Sequence, residues 1–376
     1  MALQQTNENP QASAEDDYPT YIQELANGYR KSKILFTACE LGVFDLLEDT
    51  PDRAGMTVAA LVAEMGRAGD QQQQQQEEEE GAGRGEVVSK DGLERLVDAC
   101  VGLDLLRVSI HEGTAIYSNT KQASTYLTRS SPKSMHDVMI FNSHTVYPLF
   151  HTLPSAVREG KHQHKKAFGV QSEDIFEALY RTEEERMKFM RFFYSIWSND
   201  GPYILNAFDL SSFKDVCDVG GGTGVLAQQF ARMYPDARVT LFDLPDVLEV
   251  TQKHFLTFGN VKLHAGDFFK DKIPEGDLYI LAQVVHDWKE DQCLTLLRNI
   301  HSSCRPGGGV LIIETLLRED RTGPITAQIH SVIMLMHTVG KERTATEYTE
   351  LLTQAGFRDV RVAHTGKTFN AILARK

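Results

Sequence analysis

A chain of 376 residues has room for two or three domains, and 41% hydrophobic with 24% charged residues is the balance of a globular protein with a sizeable core. Its net charge of −13 argues against a nucleic-acid surface, which needs a positive field over phosphates. Five cysteines (Cys39, Cys100, Cys217, Cys293, Cys304) without C-x-x-C spacing imply neither a disulfide framework nor a zinc site.

Residues 1–17 are polar and acidic, with no apolar run and no basic leader, and read as a disordered tail. No later segment is apolar enough for a membrane span, so a reducing, cytoplasmic location is expected. The region 18–130 opens with YIQELANGYRKSKILFTACELGVFDLL, apolar at helical spacing and broken at Gly28 and Gly42. Thr57 should cap a short helix, TVAALVAEMG. The insertion 69–89, GDQQQQQQEEEEGAGRGE at its heart, cannot bury apolar surface and is expected to be a solvated loop. A further helix over Leu93–Leu106 and two strands around Glu112-Gly113 complete a winged-helix pattern. Because that third helix is apolar and acidic, the module points to dimerisation rather than DNA binding.

Residues 131–210 read as a mainly helical linker and pocket region. From 211 to 376, apolar strands (DVCDV, RVTLFD, VKLHAGD, LYILAQVV, GVLIIETLL) alternate with helical stretches, the mark of an α/β, Rossmann-like doubly wound sheet. FRDVRVAHTG and KTFNAILARK should close it as an antiparallel hairpin.

The stretch 216-VCDVGGGTGVLAQQF-230 is a strand, a glycine turn and a helix start, built to bring backbone close to a ligand. Gly222, Gly224 and Ala227 satisfy the G-x-G-x-x-A form for nicotinamide dinucleotides. Asp218, Gly220, Gly222 and Gly224 also satisfy D-x-G-x-G-x-G, the S-adenosylmethionine loop of class I methyltransferases. An acidic residue entering the loop suits a cationic ligand and repels a pyrophosphate, which favours the methyl donor. Asp243, about twenty residues on, is placed for ribose hydroxyls; in 266-GDFF-269, Asp267 is placed for an adenine amine and Phe268 for its ring.

The run 281-LAQVVHDWKED-291 raises the question of chemistry, reading as strand until Val285 and then meeting His286 and Asp287. Asp287 could cap a helix from about Lys289, with His286 a spectator, or His286 could be a base. His286, Asp287 and Glu314 are also metal-ligand types, but neighbours on a strand point to opposite faces, so no metal is expected. His330, Ile333 and His337 share one helical face and form a candidate acceptor wall.

Together, ANGY, FTACELGVFDLL, SPKS, AVREG, AFDLS, CDVGGGTG, LFDLP, GDFFKD, DLYILAQVVHDW, RPGGG, ETLL, KERT, AGFRDV and AILARK resemble the plant-type and pineal small-molecule O-methyltransferases, from Ala26 to Lys376 apart from the Gln/Glu insertion. The resemblance implies a homodimer with a swapped winged-helix domain. It also implies S-adenosylmethionine as methyl donor, no metal, and a phenol or 5-hydroxyindole as acceptor. Carried over by position, the donor site comprises Tyr180, Trp197, Gly220, Asp243, Gly266, Asp267 and Phe268. His286 takes the base position, Glu314 the carboxylate that orients it and Glu342 the second flanking carboxylate, while Asp287 orients the site or caps the next helix. The chain departs at Gln283, where members carry Arg or Lys near the donor, and at Ile333 and His337, which stand where Asn and Gln bind the pineal acceptor. An enzyme for a different small phenol and a catalytically weak, dimeric ligand-binding homologue stay open as alternatives.

Overall fold

Helix α1 (Thr20–Glu40) runs straight through Gly28, since one glycine costs a helix of this length only about 1 kcal/mol. Gly42, at φ 68°, does turn the chain, into α2 (Val43–Glu48). The computed structural model describes residues 19–76, 88–170, 180, 182–257 and 259–376. The chain falls into two units, Met1–Ala123 and Ser124–Lys376.

In the first unit, Thr57 Oγ1 accepts the Ala60 amide and starts α3. That helix is not short. It runs Val58–Gln76, into the tract expected to loop, because glutamine is a good helix former and extending a helix is far cheaper than nucleating one. The remainder of the insertion, like residues 1–17, lies outside the described residues. Ser89 caps α4 (Lys90–Gly102), which stops short of Leu106. Strands β1 (Leu106–His111) and β2 (Thr114–Asn119) pair antiparallel around Glu112 and Gly113, both at positive φ, as a two-residue hairpin requires. Phe44, Leu47, Leu61, Leu93, Val97 and Cys100 form the buried interior. Tyr21, Ile22, Leu25 and Tyr29, at 55–70% exposure, leave an apolar stripe on the outside of α1.

In the second unit, α5 (His136–Phe141) continues as a π turn over Asn142–Val146. Helix α6 (Glu183–Leu205) starts at a Thr182 side-chain cap, with Glu183, Glu184 and Glu185 in its first turn, where carboxylates complement the helix dipole. Then strand and helix alternate as the sequence predicts: β3 (Asp215–Val219), α7 (Val225–Met233), β4 (Arg238–Asp243), α8 (Pro245–His254) and β5 (Val261–Ala265). They are followed by β6 (Gly276–Ala282), α9 (Glu290–Ser303), β7 (Cys304–Glu314) and β8 (Leu316–Leu317). The chain closes with α10 (Ile325–His337), β9 (Arg343–Thr344), α11 (Ala345–Gln354), β10 (Arg358–His364) and β11 (Asn370–Arg375).

The main sheet has the order β10-β11-β7-β6-β3-β4-β5, with β11 antiparallel to both neighbours and the rest parallel. Leu278 and Ile280 join the core on one face, Tyr279 and Leu281 on the other, the alternation that a sheet covered on both sides demands. The chain reverses direction across the sheet between β3 and β6, where open α/β sheets bind ligands beyond their strand ends. No helix among the described residues is long and apolar enough to cross a membrane.

Candidate active site

At the end of β3 the chain must turn sharply into α7. Gly224 makes the N-cap in the left-handed region, and Gly221 packs so closely that a Cβ would meet Asp218 and Leu241 side chains at 2.5 Å. Gly221 is not singled out by the motif, yet of the four glycines of this loop it has the least room. Asp218 lies fully buried beneath the loop, and neither carboxylate oxygen has a close hydrogen-bond partner. Burial, then the neighbouring Asp243, pushes its carboxyl up to about 7. Asp243 Oδ2 accepts the Gly222 amide at 2.8 Å and Oδ1 the Leu244 amide at 2.7 Å. These amides partly offset burial, which still pushes Asp243 up to about 6. An orphaned buried carboxylate above which a glycine cradle opens fits a cationic ligand and not a pyrophosphate.

Past β5, Asp267 is engaged in its own turn, accepting the Phe269 amide and pairing with Lys270 at 2.8 Å. Phe268 meets Trp288 edge-on at 6.1 Å, so the two rings make an aromatic corner beside Gly266.

Strand β6 ends at Ala282, three residues before the sequence suggested. Gln283 adopts φ 55°, its amide donates to Ile313, and its side chain donates to Glu314 Oε2. The chain then enters a single 3-10 turn, Val285–Asp287. Asp287 does not cap α9; Lys289 holds that position with no side-chain cap. Glu314, at the end of β7, accepts the backbone amides of Val285 at 3.0 Å and His286 at 3.2 Å. It therefore holds the turn from behind, and its Oε2 stands 3.5 Å from His286 Nδ1. The direct partner of the imidazole is Glu342, 2.8 Å from Nδ1. A carboxylate only accepts, so Nδ1 carries a proton and it is Nε2 that holds the lone pair in the neutral ring. Asp287 Oδ1 stands 3.6 Å from Nε2.

His286 is 4% exposed. Burial alone would pull its proton affinity down, but Glu314, Glu342 and Asp287 outweigh it and hold the imidazole well above its usual range. The same burial pushes the carboxyl of Asp287 up to about 6, against the pull of His286. Ligand atoms of His286, Glu314 and Glu342 fall within 4.8 Å of one another. Glu314 is already committed to two amides and Gln283, which makes the cluster a proton-holding site rather than a metal cage.

A cavity of ≈1610 Å³ joins these parts within the second unit. Its wall includes Tyr180, Trp197, Gly220, Gly222, Asp243, Gly266, Asp267, Phe268, Gln283, His286, Asp287, Glu342, His330, Ile333 and His337. Asp218, Gly224 and Glu314 stand behind that wall and act on it through loop, helix and turn. Trp197 is packed against Phe369 at 4.9 Å, so it braces the wall as well as lining it. Phe141 and Asn142, from α5 and its π turn, also line the cavity and carried no periodic or motif signal. Phe141 stacks on His337 at 6.5 Å. His337 is 5% exposed with Nε2 lacking a hydrogen-bond partner, and burial, with His164 and His162 nearby, pushes it down to about 3. It is a neutral imidazole in an aromatic surround. Ile333, one turn before it, offers no polar atom.

Two family models match the chain: an O-methyltransferase dimerisation domain over residues 23–129 and an O-methyltransferase domain over residues 150–358. Acetylserotonin O-methyltransferase of Gallus gallus is 48% identical over 97% of this chain and 99% of its own length, and that of Bos taurus 43% over 97% and 99%. The crystal structure of human N-acetylserotonin methyltransferase in complex with SAM superimposes with a TM-score of 0.88 at 44% identity, covering 97% of this chain and 99% of that one. PigF with SAH, at 24% identity and a TM-score of 0.78, shares the fold. The chain thus belongs to the O-methyltransferase family, in its acetylserotonin O-methyltransferase branch.

Proposed function

We propose that the protein transfers the methyl group of S-adenosylmethionine to the 5-hydroxyl of N-acetylserotonin, giving melatonin, with His286 as general base. The observation that carries the reading is the His286–Glu342 pair, facing one cavity with the glycine cradle over Asp218. When bound, the donor supplies an electrophilic methyl on a sulfonium. Asp218 stands buried beneath the cradle, where a cationic ligand favours its ionised form, Asp243 provides the acceptors for the ribose, and Phe268 with Trp288 the apolar walls for the base. His286 Nε2 takes the phenolic proton, because a phenol is a weak nucleophile until it loses it. Glu342 then stabilises the imidazolium through Nδ1, while Glu314 keeps the turn in place. A homodimer is supported by the dimerisation-domain match and by the apolar stripe on α1.

Calorimetry tests the donor assignment: S-adenosylmethionine is expected to bind with one equivalent per chain, and nicotinamide dinucleotides not to bind. Preferential binding of a dinucleotide would overturn it.

The acceptor wall yields a second expectation. Ile333 cannot hydrogen-bond an acetamide, and an unpaired buried amide costs about 1–3 kcal/mol. The variant Ile333→Asn with His337→Gln is expected to raise the preference for N-acetylserotonin over serotonin in kcat/KM about fivefold or more. A lowered preference would show that this face does not read the acetamide arm.

A further inference from the structure

We propose that Arg343 is a positioning residue for the reaction: its guanidinium fork fixes the turn that presents His286. The inference rests on His286 being the base. Arg343 is 3% exposed, and its hydrogen bonds run to main-chain carbonyls rather than to a carboxylate. Its guanidinium carbon stands 6.0 Å from the centre of the Tyr348 ring, and its N–H groups go to backbone. Nη1 donates to the carbonyls of Val285 at 3.2 Å and Lys341 at 3.3 Å, and Nη2 donates to Trp288 at 2.9 Å. Val285 and Trp288 are the residues at the start of the turn and immediately after it.

The turn is thereby gripped from two sides. Glu314 takes its N–H groups and Arg343 takes its C=O groups, while Cys293 Sγ reaches the same two carbonyls at 3.2 and 3.4 Å. Both gripping residues are registered to each other, because β8, two residues past Glu314, pairs with β9 through Leu316 and Arg343. The preceding strap lies hard on the turn: a Cβ on Gly340 would stand 1.8 Å from the His286 carbonyl oxygen. One short segment, 340–343, therefore sets the turn's height with Gly340, the imidazole's rotation with Glu342 and the turn's backbone with Arg343.

A lysine ammonium is a point donor and cannot bridge carbonyls at the two ends of the turn as a planar fork does. Arg343 also adds a positive charge that acts on Glu314, with Tyr348 and Cys293 against it, in a site where Glu314, Glu342 and Asp287 surround His286 and His330 lies on the cavity side. Removing that charge leaves the carboxylates a stronger hold on the imidazole proton, so the acid limb of the rate profile moves to higher pH.

The experiment compares wild type, Arg343→Lys and Arg343→Met in the full-length protein, reading donor affinity by calorimetry, turnover on N-acetylserotonin and the pH profile of kcat. Both variants are expected to bind donor within threefold of wild type and to lose at least tenfold in kcat. Arg343→Met alone should shift the acid limb upward, by half a pH unit or more. The proposal is overturned if Arg343→Lys keeps kcat within threefold, or if Arg343→Lys loses donor binding along with turnover, the result of a purely architectural role. Should Arg343→Met not fold, the lysine variant decides on kcat and donor affinity alone. A wild-type protein that binds donor but turns over no hydroxyindole would instead count against the proposed function.

Discussion

Replacing His286 with Gln is expected to lower kcat by about 10²–10⁴-fold while leaving S-adenosylmethionine affinity within a few-fold, since removing a general base costs that much and the donor cradle lies elsewhere on the cavity wall. Glutamine keeps a hydrogen bond to Glu342 but has no lone pair of comparable basicity. The wild-type pH profile carries the same information. Only the neutral imidazole can accept a proton, and the three carboxylates around it favour the charged form. The rate kcat/KM should therefore rise with pH, about tenfold per unit, through a limb lying above the ordinary imidazole value of ~6.5. Turnover of the variant above a tenth of wild type at pH 7.5, or a limb at or below ~6.5, would remove His286 from the role of base.

For Asp243→Ala the expected loss is in binding: donor affinity should fall roughly 100-fold. Charge-assisted hydrogen bonds are worth about 1.5–3 kcal/mol each, and this carboxylate can offer two to a ribose while already holding the Gly222 and Leu244 amides. Losing about 3 kcal/mol corresponds to that factor. Calorimetry on a variant whose circular dichroism matches wild type provides the check. A change in Kd smaller than fivefold would place the ribose elsewhere.

The sheet was legible because its signal is periodic. Apolar strands ending at Val219, Asp243 and Ala265 alternate with helices, and each strand end delivers the residues the motifs named. What could not be read is what depends on backbone geometry rather than composition. Gln283 looks like one more strand residue, and only its positive φ ends β6 early and turns its amide onto Glu314. The division of labour between Glu314 and Glu342 was equally hidden, since sequence offers two carboxylates and no distances. Arg343 sits beside a named residue, yet its partners are carbonyls, which every residue possesses and no motif records. Helix α3 failed for a different reason: low complexity was taken as lack of structure, whereas a polar tract following a nucleated helix can simply extend it.

Strand β11 is the last strand of the sheet in chain order, yet it lies inside the sheet, between β10 and β7, with Ala371, Ile372, Leu373 and Ala374 at 0% exposure. The second unit therefore cannot close its core until β11 itself has been made. Until β11 leaves the ribosome, the edge of β7 is unpaired and both apolar faces next to it are open to solvent. The first unit, whose strand pairing joins neighbouring segments, carries no such debt and can fold as it emerges. The growing chain thus presents a finished N-terminal module ahead of an open, aggregation-prone sheet edge, and chaperone demand should concentrate in that interval.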